Sequence, residues 1–287
     1  MARVGIIGGS GLYKIEGMEI RRIERVVTPF GNASDEFTIS KYGDNEIVFL
    51  PRHGTGHTIL PTELNYRANI YGMKKLGVGH VISLSACGSF KKELKPRDVV
   101  IVDQFVDRTN QGRNTTFFGD GIVAHISFSH PICSQLADAV FDSAKESGLN
   151  CHMGGTYLNM EGPAFSTKAE SCLYKSWGMD VIGMTNMPEA RLCREAEICY
   201  SSVAFVTDYD CWHEGEEAVT IDMIIENLNK NVESAKKIIK AVVPKIGKMK
   251  RTCACKDALS NAIITRPEAI AGPVKEKLKI IIGKYIK

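Results

Sequence analysis

The chain predicts an α/β fold, a single domain with a central mixed β-sheet flanked by helices, and three observations predict it. Short apolar runs alternate with amphipathic helical runs along most of the 287 residues, the pattern of helices packed on a sheet. Four strand-like runs crowd the first fifty residues with few helices between them, which adds an antiparallel or mixed section to an otherwise parallel sheet. No repeat, low-complexity segment or long linker divides the chain, so one domain spans 1–287.

Residues 3–7 are a buried strand that runs at once into Gly8-Gly9-Ser10-Gly11. Strands are expected at 20–27, 36–41 and 46–51, separated by Pro29, Gly31 and Gly43. Leu64, Ala68, Tyr71 and Lys75 fall at helical spacing within Thr62–Leu76, closed by Gly77. Val81–Ser85 and Val99–Val102 are short apolar strands, and Cys133–Ser147 is an amphipathic helix ended by Gly148. Thr167-Lys-Ala-Glu170 is a capping box opening a helix to Trp177. Val181–Met184 is a strand, and Pro188 suits the first turn of the next helix. Ser202–Thr207 is a strand ending at Asp208. A long helix is expected from Thr220 to Val243, stopped by Pro244, with closing helices at Thr252–Ile264 and Pro273–Tyr285.

Hydrophobic residues make up 44% and charged residues 24%, an ordinary globular composition. A net charge of +3 with scattered basic residues argues against nucleic acid, and Lys245, Lys248, Lys250 and Arg251 read as a solvated face. No stretch approaches the length of a membrane span. The N-terminus enters a strand directly, without the apolar core of a signal peptide, so a cytoplasmic protein is expected. Most of the nine cysteines read as small buried hydrophobes. Cys253 and Cys255 are too close for a zinc knuckle and have no second pair nearby in sequence, which leaves a structural or a redox role open.

Five short segments can carry chemistry. Gly8-Gly9-Ser10-Gly11 lets backbone N–H groups converge on an anion, but lacks the dinucleotide and Walker patterns. Arg52 and His53 offer donors to a tetrahedral oxyanion. Gly54 and Gly56 make it hard for His53 and His57 to share a helix face as metal ligands. Ser85-Ala86-Cys87-Gly88 ends a strand, where open α/β sheets bind ligands. Met184-Thr185 leads from a strand into a helix start. Asp208 and Asp210, at i and i+2, share one side if the chain stays extended, and suit acid catalysis or a cation. Each segment alone has a plain structural explanation as a turn or a cap. Together they place oxyanion donors and a carboxylate pair after strands, which supports phosphate chemistry with protonation of a leaving group.

With these segments in order, the chain resembles the trimeric, methylthioadenosine-cleaving branch of the purine nucleoside phosphorylase family. The carriers are GIIGGSGLY from Gly5, PRHGTGH from Pro51, NYRANIYG from Asn65, SACGS from Ser85 and DQFVDRT from Asp103. MEGPAFSTKAES from Met160, MTNMPEA from Met184 and VTDYDCW from Val206 complete the set. The resemblance covers about residues 3–245 and is weaker after about 250. It implies phosphate ligands at Ser10, Arg52, His53, Ser85, Ala86 and Thr185. It places Met184 along the ribose, Phe165 stacked on the base, and Asp208, Tyr209 and Asp210 at the adenine. Asp208 is the implied catalytic acid, and Ser166 is tied to base specificity. Ile221 and Ile224 pack on the methylthio group. His125 reaches the neighbouring subunit's site, which implies a homotrimer, or a dimer of trimers.

The implied reaction is reversible phosphorolysis of S-methyl-5′-thioadenosine to adenine and 5-methylthioribose 1-phosphate, in purine and methionine salvage. Inorganic phosphate is a co-substrate, and no cofactor, metal, nucleic acid or membrane is expected. An aspartate at 208 suits the 6-amino group and N7 of adenine, whereas 6-oxopurines are generally met by asparagine. A 6-oxopurine phosphorylase and a catalytically idle nucleoside-binding subunit are the rival readings.

Overall fold

A computed structural model of the chain describes residues 2–12, 15–110, 112–213 and 221–286, with the side chains of residues 10, 221–225 and 228 outside that description. In chain order the elements are β1 (Arg3–Gly8), β2 (Glu19–Glu24), β3 (Phe37–Tyr42), β4 (Asn45–Pro51), α1 (Tyr66–Lys75), β5 (His80–Ser89), β6 (Val99–Val102) and β7 (Gln104–Asp107). They continue with α2 (Ser134–Glu146), β8 (Cys151–Met153), β9 (Thr156–Asn159), α3 (Lys168–Ser176), β10 (Val181–Gly183), α4 (Glu189–Glu195), β11 (Cys199–Asp208), α5 (Ile221–Lys248) and α6 (Gly272–Ile282).

All eleven strands belong to one sheet, with the path β2-β3-β4-β1-β5-β10-β9-β7 and a branch in which β11 joins β5 to β6 and β8. The mixed character is as expected: β2, β3 and β4 are antiparallel, while β1 lies parallel between β4 and β5. β1, β4 and β11 are buried almost throughout, because helices cover both faces and continuous apolar strands tolerate that. α2 and α5 pack on each other and on β11. Val140, Ile238, Val242 and Val203 are among the fully buried residues of this core. Among the described residues, no helix is long and apolar enough to cross a membrane.

β5 and β11 are longer than their sequence patterns. Each reaches ten residues because β11 pairs parallel to β5 from Cys199↔His80 to Asp208↔Gly88. Ser85-Ala86-Cys87-Gly88 is therefore inside a strand, and not at its end. α5 runs through Pro244 to Lys248. Proline removes one helix hydrogen bond at a cost of about 3 kcal/mol, and the buried Val242, Val243 and Ile246 hold the helix across it. Thr252–Ile264 forms no α-helix. It holds a 3-10 turn at Ala254–Asp257 and a bridge from Ile263 to Ala124. β7, β8 and β9 carry three or four residues each, too few for a periodicity to register. The capping box at Thr167 and Glu170 forms as expected.

Candidate active site

The site is built on a fork in the sheet. One edge of β5 carries β1 opposite His80–Ser83 and then β10, antiparallel, opposite Gly88 and Ser89. β1 and β10 run towards each other along that edge and both stop short of its middle. Among the described residues, Leu84–Cys87 have no strand partner on that side, while β11 holds the other side throughout. A break of this kind in an α/β sheet is where ligands find free backbone groups at strand ends. Ala86 is exposed there although it lies within a strand. The chain leaving β1 (Gly9-Ser10), the chain leaving β4 (Arg52-His53) and the chain leaving β10 (Met184-Thr185) follow the strand ends that border the gap.

Arg52 is buried, and most of its donors have partners within the fold. Nε and Nη2 bond to Glu189, Nη1 to the Leu84 carbonyl at 3.1 Å, and Nη2 to Ser83 Oγ at 2.6 Å and the Ile7 carbonyl at 3.4 Å. Burial pulls its pKa down, and the Glu189 carboxylate more than reverses that. The guanidinium ties β1, β5 and α4 together around the gap, and the second Nη1 hydrogen is not used by these contacts. His53 Nδ1 lies 2.8 Å from the Ile59 carbonyl. A carbonyl only accepts, so Nδ1 carries the hydrogen and Nε2 of the neutral ring is an acceptor. Burial, with the adjacent Arg52 charge, lowers the His53 pKa to about 4. The ring stacks on His57 at 4.4 Å, and His57 has φ +57 in a run of turns, so the two histidines share no helix.

Ser85 Oγ is buried and has no hydrogen-bond partner among the described residues. The Tyr157 hydroxyl, fully buried, faces Ser85 and the Thr185 backbone, contacts too poorly aligned to count as full hydrogen bonds. Buried hydroxyls short of well-aligned partners have bonding capacity that a ligand or water can take up. Gly183 has no room for a side chain, since a Cβ there would fall 1.8 Å from the Tyr157 oxygen. Thr185 is buried, and the Met184 side chain packs over Gly162, whose φ is +73.

The carboxylates occupy the other end of the gap. Asp208 pairs in register with Gly88, three residues beyond Ser85, or about 10 Å at the usual strand rise. Its Oδ1 accepts from Asp210 N–H at 2.8 Å, and its Oδ2 lies 2.6 Å from Thr207 Oγ. Thr207 Oγ also contacts the Cys87 carbonyl at 3.1 Å. One hydroxyl hydrogen cannot serve both acceptors, so the second contact is satisfied when Asp208 carries a proton. Burial raises the Asp208 pKa despite those bonds, with the Asp210 charge adding to the rise. The i, i+2 geometry expected from an extended chain does not form. Asp210 turns away at φ +47 into a 3-10 turn. The Asp210 N–H to Asp208 contact keeps the pair together. Burial raises the Asp210 pKa as well, and its Oδ2 accepts from Ser171 Oγ at 2.6 Å and Ser166 Oγ at 3.3 Å.

The remaining expected residues fall into three groups. Ser166 joins Asp210, and Tyr209 directs its hydroxyl to the Lys92 carbonyl while stacking on His213 at 4.8 Å. Phe165 is 67% exposed, and His125 is exposed on a loop held by its backbone N–H to the Ala262 carbonyl. The side chains of Ser10, Ile221 and Ile224 lie outside the described residues. Arg113 was not anticipated from sequence. It is buried and donates to the carbonyls of Met184, Met187 and Glu161 and to the Glu161 carboxylate, clasping the two loops that carry Glu161-Gly162 and Met184-Thr185. Its position between turns carries no periodicity, and only the pairing of two distant loops gives it a role.

The model of the phosphorylase superfamily matches residues 3–244. The S-methyl-5′-thioadenosine phosphorylase of Geobacter sulfurreducens is 56% identical over 99% of both chains. That of Koribacter versatilis is 54% identical over 99% of this chain and 97% of its own. Both alignments extend through the segment after residue 250, where the resemblance had been expected to thin. Among solved structures, a methylthioadenosine phosphorylase from an antarctic soil metagenomic library superposes with a TM-score of 0.93 at 44% identity over 98% of each chain. The Schistosoma mansoni methylthioadenosine phosphorylase in complex with adenine gives 0.87 at 36% identity over 92% of this chain and 99% of that one. The chain belongs to the phosphorylase superfamily, in the family of the S-methyl-5′-thioadenosine phosphorylases.

Proposed function

We infer that the chain catalyses the reversible phosphorolysis of S-methyl-5′-thioadenosine to adenine and 5-methylthioribose 1-phosphate. The observation that carries the reading is the gap in β5, with poorly satisfied hydroxyl and free backbone donors near Ser85 at one end and a buried acid at Asp208 at the other. The spacing of about 10 Å suits phosphate at one end and a purine edge at the other, with the ribosyl unit between. The named activity of relatives at 56% and 54% identity agrees with it.

Phosphate is held by Ser10, Ser85, the backbone at Ala86, and Thr185. His53 Nε2 accepts from the phosphate's own hydroxyl, and Arg52, held in place by Glu189, orders the loops and turns its remaining Nη1 hydrogen to the phosphate. The C1′–N9 bond breaks and its electron pair goes to adenine. A phosphate oxygen forms the new bond to C1′ on the opposite face, and its negative charge stabilises the cationic sugar on the way. Asp208 gives its proton to N7, so adenine leaves neutral, and the carboxylate regains a proton from solvent. Asp210, set by Ser166 and Ser171, accepts from the 6-amino group. Phe165 stacks on the base, Met184 lines the ribose and Tyr209 supports the base end.

Ile221 and Ile224 enclose the methylthio group, and His125 completes the site of the adjacent subunit in a homotrimer. The protein acts in the cytoplasm, in purine and methionine salvage, without a cofactor. A substrate series tests this: kcat/KM for methylthioadenosine, adenosine, methylthioinosine and inosine. Methylthioadenosine is expected to lead, with adenosine below it and the 6-oxopurines lowest. Preference for inosine or methylthioinosine would contradict the assignment of Asp208.

A further inference from the structure

Four cysteines that are scattered in sequence meet at one point of the fold. Cys133 precedes α2, Cys199 opens β11, and Cys253 and Cys255 flank the start of the 3-10 turn after α5. Their Sγ atoms all lie within 4.8 Å of one another, three of the four residues are buried, and Cys199 and Cys253 sulfurs are 3.3 Å apart. Tetrahedral zinc thiolates have Zn–S of about 2.3 Å, which sets the sulfurs about 3.8 Å apart. A set this compact fits a single ion and is too tight to enclose an iron–sulfur cluster.

The surroundings suit a charged thiolate centre. Arg251 Nε donates to Cys199 Sγ at 3.2 Å, and its Nη2 is fixed by the Glu197 carbonyl. Arg194 and His80 lie within electrostatic reach of Cys255, and His80 Nε2 is buried without a hydrogen-bond partner among the described residues. The Arg251 and Arg194 charges beside a tetrathiolate offset its net negative charge, and Arg251 helps orient Cys199. Arg251 was expected on a solvated face, and its place against these sulfurs is otherwise unexplained. In the sequence Cys253 and Cys255 are closely spaced and have no second pair nearby, and the fold brings Cys133 and Cys199 to them.

We propose that Cys133, Cys199, Cys253 and Cys255 form a tetrathiolate site for one zinc ion. The ion takes the place of the thiol protons, which pass to solvent, and no electron transfer is involved. Cys199 and Asp208 are at opposite ends of β11, about 30 Å apart at the strand rise, so the ion is structural. It fastens the chain after α5 to the sheet. That chain in turn holds the His125 loop, through His125 N–H to Ala262, Ile264 N–H to Val123 and Val123 N–H to Thr265 Oγ.

The test uses the full-length protein purified under reducing conditions without chelator. Elemental analysis should find close to one zinc per chain. Exchange for cobalt should give the intense visible absorption of tetrahedral cobalt thiolate. Stripping the metal should lower Tm and raise amide exchange in residues 122–126. Cys133→Ser should weaken zinc binding roughly tenfold or more, with the exposed Cys172→Ser retaining wild-type metal. If the serine variant fails to fold, the cobalt spectrum of the wild-type protein decides alone. Two outcomes would overturn the proposal: metal-free protein whose four thiols bind neither ion, or an intact mass lowered by the hydrogens lost in disulfides.

Discussion

Asp208 is held by two hydrogen-bond donors, which favour its anion, and by burial, which favours its neutral acid; burial prevails. As the proton donor it works only when protonated, so kcat/KM should fall as pH rises through its raised pKa. Asp208→Asn should lose about 100-fold or more in kcat/KM for methylthioadenosine, lose that pH limb, and gain relative preference for 6-oxopurine nucleosides. An unchanged value would remove Asp208 from the mechanism. Glu195 offers a separate pH-dependent prediction. It is buried and accepts from Thr116 Oγ and Phe117 N–H, each at 2.7 Å, yet burial raises its pKa from 4.5 to about 7. The folded chain therefore keeps a proton that the unfolded chain releases. Its contribution to stability is full below about pH 4.5 and is lost as pH rises towards about 7, by about 3 kcal/mol at 1.4 kcal/mol per pH unit. Urea unfolding of Glu195→Gln across that range should show a flatter profile than wild type, and parallel profiles would refute the assignment.

Arg52 and Glu189 act at the level of elements. Their side chains are 3% and 1% exposed, and Glu189 also accepts from the Tyr200 hydroxyl at 2.9 Å. The pair joins the end of β4 to the start of α4 and to β11. Removing one partner strands a buried charge, so Glu189→Ala should cost about 3–5 kcal/mol in urea unfolding. A loss below about 1 kcal/mol would mean the pair does not hold these elements together. Elements with a strong period were legible in the sequence. β3, α1, α2 and α6 fall close to their expected places because one face of each is apolar, and β1 and β4 because a continuous apolar run suits a strand covered on both faces. The ends of β5 and β11 were not legible, since the residues 85–88 look like a turn until β11 is laid beside them. Pro244 reads as a stop by its own chemistry, and only the burial of its neighbours carries α5 past it. The gap in β5 is a property of three strands together, so the segments bordering it were visible while their meeting was not.

Over the whole molecule, the segment after α5 closes the structure onto the His125 loop. Glu197 anchors it, with Oε1 accepting from Leu259 N–H at 3.1 Å and the Tyr285 hydroxyl at 2.5 Å. Glu197→Ala should cost about 1.5–3 kcal/mol, the range for hydrogen bonds to a charged group, and should speed deuterium uptake at residues 122–126. Uptake unchanged there would uncouple the tail from that loop. The phosphate and acid motifs were individually ambiguous in the sequence, and their common purpose came from the family's ordered set of segments. The cysteine meeting point and Arg113 were hidden because their partners are far away along the chain. The central claim is phosphorolysis, and its most direct test follows methylthioadenosine by phosphorus NMR and adenine release, with and without inorganic phosphate. Adenine release is expected only with phosphate, matched mole for mole by a new sugar 1-phosphate resonance. Adenine released equally without phosphate, with free methylthioribose as the product, would contradict it.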